Sequence, residues 1–291
     1  MKDFQYAAPT AIEDAVGLLA QHGPRAKLLA GGTDIIVQLR EGLREADVVV
    51  DVKKIGELMT LSFSVEAGLL LGAAVPCYQI YEYAEVAAAY SGLCDAAHII
   101  GGWQIQSRAS VGGNLCNSSP AADSIPALIA YDAVAVIDGP AGRRDVPVAQ
   151  FCTGPGKNVL QAGELLVSLK LPPQPAKSGC AYQRFIPRNE MDIAVASAGC
   201  WVQLDSSGEK IEAARIALGA VAATPVVAKS ASAFLSGKPA NDETLAQAGE
   251  LAKEVAKPIS DMRGTLEYRV HLVGVLTKRV LALAVERARS R

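Results

Sequence analysis

Ser110-Val111-Gly112-Gly113-Asn114-Leu115-Cys116-Asn117-Ser118-Ser119-Pro120-Ala121-Ala122-Asp123 is the stretch on which the reading of this chain turns. It combines a glycine pair, a cluster of hydroxyl and amide side chains, and an acid just ahead of an apolar run at 121–131 that predicts a helix. Small residues allow a close backbone approach, Ser and Asn offer hydrogen bonds, and a carboxylate accepts from sugar hydroxyls or a ring N–H. Residues 101–120 carry a single charge, Arg108, so the stretch is too apolar for a solvated loop and too rich in Gly, Ser and Asn for a regular element. It is expected to be a loop held by something other than water. The plainer alternative is a buried loop in which Asp123 caps the next helix.

Some eighty residues earlier stands a second glycine pair, in Leu28-Leu29-Ala30-Gly31-Gly32-Thr33-Asp34-Ile35. A strand at 27–30 that feeds two glycines and a helix at 33–40 leaves several backbone N–H groups unpaired. With the helix dipole they suit a phosphate or diphosphate. The competing reading is a tight turn in which Thr33 or Asp34 merely caps the helix. Neither G-x-G-x-x-G nor G-x-x-x-x-G-K-[ST] occurs, so a dinucleotide held here is held outside a Rossmann fold.

The surrounding pattern alternates. Thr10-Ala11-Ile12-Glu13 reads as a capping box opening a helix that His22-Gly23-Pro24 stops. A valine-rich run at 47–52 predicts a buried strand. Short strands around Gly68, a helix at 77–90, and strands at 133–138 and 164–171 follow. Pro172-Pro173-Gln174-Pro175-Ala176-Lys177-Ser178-Gly179 reads as a linker. Beyond it come strands at 180–186, 194–204 and 211–221, then helices at 226–235, 242–256 and 266–288. An α+β chain with a boundary near 175 is expected, dividing it into 1–175 and 176–291.

Composition excludes some functions. The 291 residues are 50% hydrophobic with a net charge of −2, which offers no basic excess for nucleic acid. The longest stretch without Asp, Glu, Lys or Arg, 67–81, is too short to cross a bilayer, and the acidic, non-apolar start does not resemble a signal peptide. A cytoplasmic location is the default expectation. The six cysteines, Cys77, Cys94, Cys116, Cys152, Cys180 and Cys200, show no C-x-x-C spacing, so buried free thiols are expected, with no metal ligands. His271 reads as a structural histidine, His98 as a packing residue, and no acid–base dyad stands out. Trp103 and Met191 are equally consistent with core positions and with places near a cofactor.

The pairing of A-G-G-T-D with S-V-G-G-N-L-C-N-S-S-P-A-A-D resembles the FAD-binding medium subunit of the molybdenum hydroxylases. That family includes aerobic carbon monoxide dehydrogenase, xanthine dehydrogenase, 4-hydroxybenzoyl-CoA reductase and N-heterocycle oxidoreductases. The likeness runs from Phe4-Gln5-Tyr6 to Glu267-Tyr268-Arg269. It implies a vanillyl-alcohol-oxidase-like FAD-binding domain, then a C-terminal domain of an antiparallel sheet with a helix bundle. By position it implies that Leu28, Leu29, Ala30, Gly31, Gly32, Thr33, Asp34 and Ile35 wrap the FAD diphosphate. Ser110, Val111, Gly112, Gly113 and Asn114 would hold the phosphate–ribityl region. Asp123 would contact the cofactor, Ile100 pack near the ring system, and Leu166 offer a backbone contact. Arg184 would lie by the pyrimidine edge, where the family more often has lysine, which keeps the charge and changes its geometry. FAD is the cofactor implied for this chain. The molybdenum cofactor and two-iron two-sulfur clusters would sit on partner subunits, in a dimer of heterotrimers with an iron–sulfur small subunit and a molybdopterin large subunit. A stand-alone FAD-dependent reductase or oxidase is the competing enzyme reading, and a nucleotide-binding regulatory module the non-enzymatic one.

Overall fold

The computed structural model describes residues 2–188 and 190–291. A three-stranded parallel sheet comes first, in the order Gln5–Ala7, Val48–Asp51, Ala26–Leu29. Its middle strand is buried at all four positions, as a valine run flanked on both sides requires. Helix Ile12–His22 packs Ile12, Ala15 and Leu19 into that core. The expected capping box is not formed: Ala11 is the N-cap, and no side chain caps the helix.

A five-stranded antiparallel sheet follows, ordered Leu61–Ser64, Gly68–Gly72, Leu165–Leu171, Val134–Asp138, Arg144–Pro147. The short helices that cover it bury Ile80, Tyr90, Leu93, Leu115, Ile125 and Leu128 in the largest apolar cluster of the molecule. The single helix expected over 77–90 is two, Cys77–Glu82 and Ala84–Ala89, broken where Tyr83 adopts an extended ψ of 102°. The Arg144–Pro147 strand and the small Cys152–Gly154/Lys157–Asn158 hairpin carry too few apolar residues to have been read from the sequence.

The C-terminal part is a four-stranded antiparallel sheet of Ser178–Phe185, Ala196–Leu204, Ile211–Gly219 and Val226–Val227. Helices Lys229–Leu235, Asp242–Ala252 and Leu266–Arg289 enclose a separate apolar core with it. Val226 and Val227 pair with the sheet, so the helix expected from 226 begins at Lys229. Side-chain caps fix the two longer helices: Asn241 accepts from the Thr244 amide at 3.0 Å and Thr265 from the Tyr268 amide at 3.2 Å. Each such cap is worth about 1 kcal/mol. His271 is exposed on the last helix, so it is a surface residue and not a structural one. No helix among the described residues is long and apolar enough to cross a membrane.

Candidate functional site

The first sheet, the second sheet and the Val111–Asn117 helix meet around a cleft of about 300 Å³. Both glycine-pair segments reach it. Gly31 lies so close to the segment before the second pair that a Cβ there would overlap the Arg108 carbonyl oxygen and stand 2.9 Å from the Ala109 Cα. Gly112 lies equally tight on Ala73, at the end of the Gly68–Gly72 strand. In each pair one glycine therefore serves the protein's own backbone packing. Its partner does something else: Gly32 takes a left-handed φ of +78°, and a Cβ at Gly113 would meet only Ser110 Oγ at 3.0 Å.

The first segment is tied down from below. Lys53 Nζ donates to the Ala30 carbonyl at 2.9 Å and to Asp51 Oδ1 at 2.7 Å, and Tyr6 Oη donates to Asp51 Oδ2 at 2.7 Å. Burial pushes the Asp51 carboxyl up, but those hydrogen bonds outweigh it and hold it below the usual range. After Ala30 the amides of residues 31–35 find no acceptor among the described residues. All five of those residues line the cleft. The caps weighed from the sequence are not made: helix Ile35–Arg40 starts two residues later than expected, with Asp34 at the N-cap position, and neither Thr33 nor Asp34 caps it through a side chain. Burial raises the Asp34 carboxyl.

The second segment is not a loop. Val111–Asn117 is a helix, with Ser110 as N-cap accepting from the Gly113 amide at 3.0 Å. Trp103–Gln106 is helical as well. Tertiary packing overrides the poor propensity of Gly-Gly-Asn: Gly112 is what lets this helix sit against Ala73. With six and seven residues, the two helices are too short for a macrodipole to carry the electrostatics. Unpartnered amides at close range remain, and the Gly112 amide also lacks an acceptor among the described residues, whereas Val111 faces Val75 across the antiparallel Pro76–Ser110 bridge.

Of the residues expected at a cofactor, Leu28, Ala30, Gly31, Gly32, Thr33, Asp34, Ile35, Ile100, Ser110, Gly112, Gly113, Asn114 and Leu166 line this cleft. Leu29 points the other way, against Leu39, Ala46 and Val49, and Val111 is buried in the core below. At Leu166 the strand register shifts before Ser168, a bulge at the cleft wall. Asn114 is spent partly on structure, its Oδ1 accepting from Ser124 Oγ at 2.6 Å and from the Ser124 amide at 3.3 Å.

Asp123 and Arg184 stand apart, as a buried pair beside a second cleft of about 780 Å³. Asp123 starts the helix Ser124–Ala130 without capping it through its side chain. Its Oδ2 accepts from Arg184 Nη1 at 2.6 Å and its Oδ1 from Tyr182 Oη at 2.8 Å. Burial pushes this carboxyl up to about 6 against the opposing pull of Arg184 and Tyr182. Tyr182 was missed in the sequence, although it lies two residues before Arg184 and so on the same face of the Ser178–Phe185 strand. Residues 99–102 separate the two clefts, with Ile100 on the first and Ile99, Gly101 and Gly102 on the second. Trp103 and Met191 are exposed at the second cleft's side, not in the core: Trp103 lines it, and Gln104 approaches the Met191 sulfur at 3.8 Å. His98 packs edge-on against Tyr81 with ring centroids 4.7 Å apart. All six cysteines are free; Cys116 lines the first cleft, and burial pushes its thiol up to about 12, which leaves it inert as a nucleophile.

Comparison with known proteins bears on what such a pair of clefts belongs to. Residues 2–174 match the model for the FAD binding domain in molybdopterin dehydrogenase, and residues 181–284 that for the CO dehydrogenase flavoprotein C-terminal domain. A xanthine dehydrogenase FAD-binding subunit of Escherichia coli O157:H7 is 36% identical, over 99% of this chain and 98% of that one. The carbon monoxide dehydrogenase medium chain of Hydrogenophaga pseudoflava is 32% identical over 97% and 96%. A solved carbon monoxide dehydrogenase from that organism, lacking the Mo-pyranopterin moiety of its molybdenum cofactor, superposes with a TM-score of 0.93 at 31% identity, covering 98% of both chains. Quinoline 2-oxidoreductase from Pseudomonas putida 86 gives 0.90 at 31% identity, covering 99% of both.

Proposed function

The chain belongs to the FAD-binding subunits of the molybdenum hydroxylases, an oxidoreductase family, and from that premise we propose that it relays electrons from a two-iron two-sulfur subunit to an external acceptor. The reading includes a molybdopterin-bearing large subunit as the third member, a dimer of such heterotrimers, and a cytoplasmic setting. It takes residues 1–175 as the FAD-binding unit and 176–291 as the C-terminal unit.

The observation that carries it is the meeting of the two small-residue segments, backbone on backbone, around one cleft where the amides of residues 31–35 find no acceptor among the described residues. Such a wall fits a diphosphate, because unpaired N–H groups in a concavity are costly until an anion accepts from them. In this reading residues 28–35 and 110–114 bind the dinucleotide, Ile100 packs near the ring system and Leu166 offers a backbone contact. Arg184, braced by Asp123 and Tyr182, would present a fixed positive charge beside the second cleft. The chemistry that FAD supplies when bound is acceptance of single electrons and their release in pairs. The chain's own residues hold it, exclude water from one side and set the charge beside it. They need no proton-transferring dyad.

The test is purification of the full chain from its native source. A yellow protein with oxidised-flavin absorbance that travels with iron–sulfur and molybdenum polypeptides is expected. A polypeptide still colourless after reconstitution with FAD would sink the reading.

A further inference from the structure

One corner of the first cleft is cationic without a carboxylate to account for it. Lys27, half-buried, and Arg44, exposed, both line the cleft beside the free amides of residues 31–35. Arg25 is close by, but Glu45 and Asp47 already meet its charge. Lys27 Nζ has only the Pro24 carbonyl as an acceptor, and Arg44's guanidinium has none among the described residues. Asp34 lines the same cleft and forms an ion pair with neither. Burial, then Arg44 and Arg25, lowers the Lys27 ammonium, as expected of cations crowded together without a counter-charge.

Like charges gathered in a cleft are unfavourable until an anion neutralises them, and a phosphate does so with charge-assisted hydrogen bonds. We propose that Lys27 and Arg44 are the recognition point for the adenosine-diphosphate half of the dinucleotide, so that this cleft selects FAD over flavins without that half. The inference rests on the flavin reading and adds to it two side chains and a basis for selectivity. The amides of residues 31–35 fix where the diphosphate lies; the two cations supply the long-range attraction that neutral amides lack.

The test titrates flavin-stripped full chain with FAD, ADP and riboflavin at low and moderate salt, for the wild type, Lys27→Met and Arg44→Gln. Lys27→Met is expected to weaken FAD and ADP alike by about tenfold, the scale of one charge-assisted hydrogen bond. Arg44→Gln, being exposed, should weaken them by about threefold. Riboflavin binding should not change, and the salt dependence of FAD binding should flatten in both variants. Wild-type affinities and salt dependence for FAD and ADP in both variants would overturn the proposal while the flavin reading stands. Equal weakening of riboflavin would overturn it too, by tracing the loss to damage of the cleft. A wild type that binds no flavin at all would take both down.

Discussion

The two clefts on either side of residues 99–102 are built on opposite plans. The first is walled largely by main chain: glycines pressed against neighbouring backbone, and amides left without acceptors among the described residues. The second is walled by side chains: Arg184 with its carboxylate and phenol, His98 against Tyr81, and Trp103 in the open. Backbone amides carry no titratable proton and no rotamer freedom, so the grip they provide is rigid and does not itself titrate. A buried carboxylate–guanidinium pair depends on every partner being present. One chain thus places a main-chain grip beside a charge held by side chains.

Substitutions can break that contrast at either end. The largest effect is expected at Gly31→Ala, where the new Cβ overlaps the Arg108 carbonyl and no flexible side chain can yield. A loss of about 3 kcal/mol or more in urea denaturation, together with loss of flavin, is the expected outcome for overpacking of this kind. Stability within error of the wild type would show that the two segments are not interlocked.

Next comes Arg184→Met, which leaves the Asp123 carboxylate buried without its counter-charge. A loss of about 3 kcal/mol at pH 7 is expected. Burial already holds this carboxyl up to about 6, above its ordinary value. The stability it contributes is thus full below the unfolded value near 4 and is lost as pH rises through about 6. Removing the arginine raises the carboxyl further, so the penalty should stand at neutral pH, shrink as pH falls towards about 6 and level off below it, where a proton holds the carboxyl neutral in both proteins. Denaturation at pH 5 and pH 7.5 tests this, and a penalty growing in acid would contradict it.

Asn114→Ala should cost less, about 1–2 kcal/mol, for the two hydrogen bonds it takes from Ser124. The smallest change in stability is expected at Gly113→Ala, within about 0.5 kcal/mol, because only Ser110 Oγ lies near the added methyl. Flavin retention should nevertheless fall there, measured as absorbance per polypeptide after gel filtration. If Gly113→Ala keeps its flavin, the open side of the second glycine pair is not where the cofactor lies.

Much of the fold was legible because buried strands and the amphipathic last helix announce themselves by periodicity: 47–52, 164–171, 194–204 and 266–288 all correspond to elements within a few residues. The site was legible as two segments rich in small residues. What went astray has a common cause. The 101–120 stretch, expected as loop, is largely helical because Gly112 fits against Ala73 and Ser110 caps the turn, contacts that cross the chain and leave no local mark. Tyr182, Lys27 and Arg44 escaped notice because each gains its meaning from residues far away in sequence.

The amino-acid order by itself determined where the apolar strands and glycine pairs lie, which charges are scarce, and that no conventional phosphate loop is present, since these follow from local propensity and spacing. Only the tertiary structure decided that Gly31 closes onto Arg108, that Asp123 pairs with Arg184 and Tyr182, and which glycine of each pair packs against neighbouring backbone. The reason is physical: steric fit and the pairing of buried charges are properties of neighbours in space, and propensity acts only along the chain.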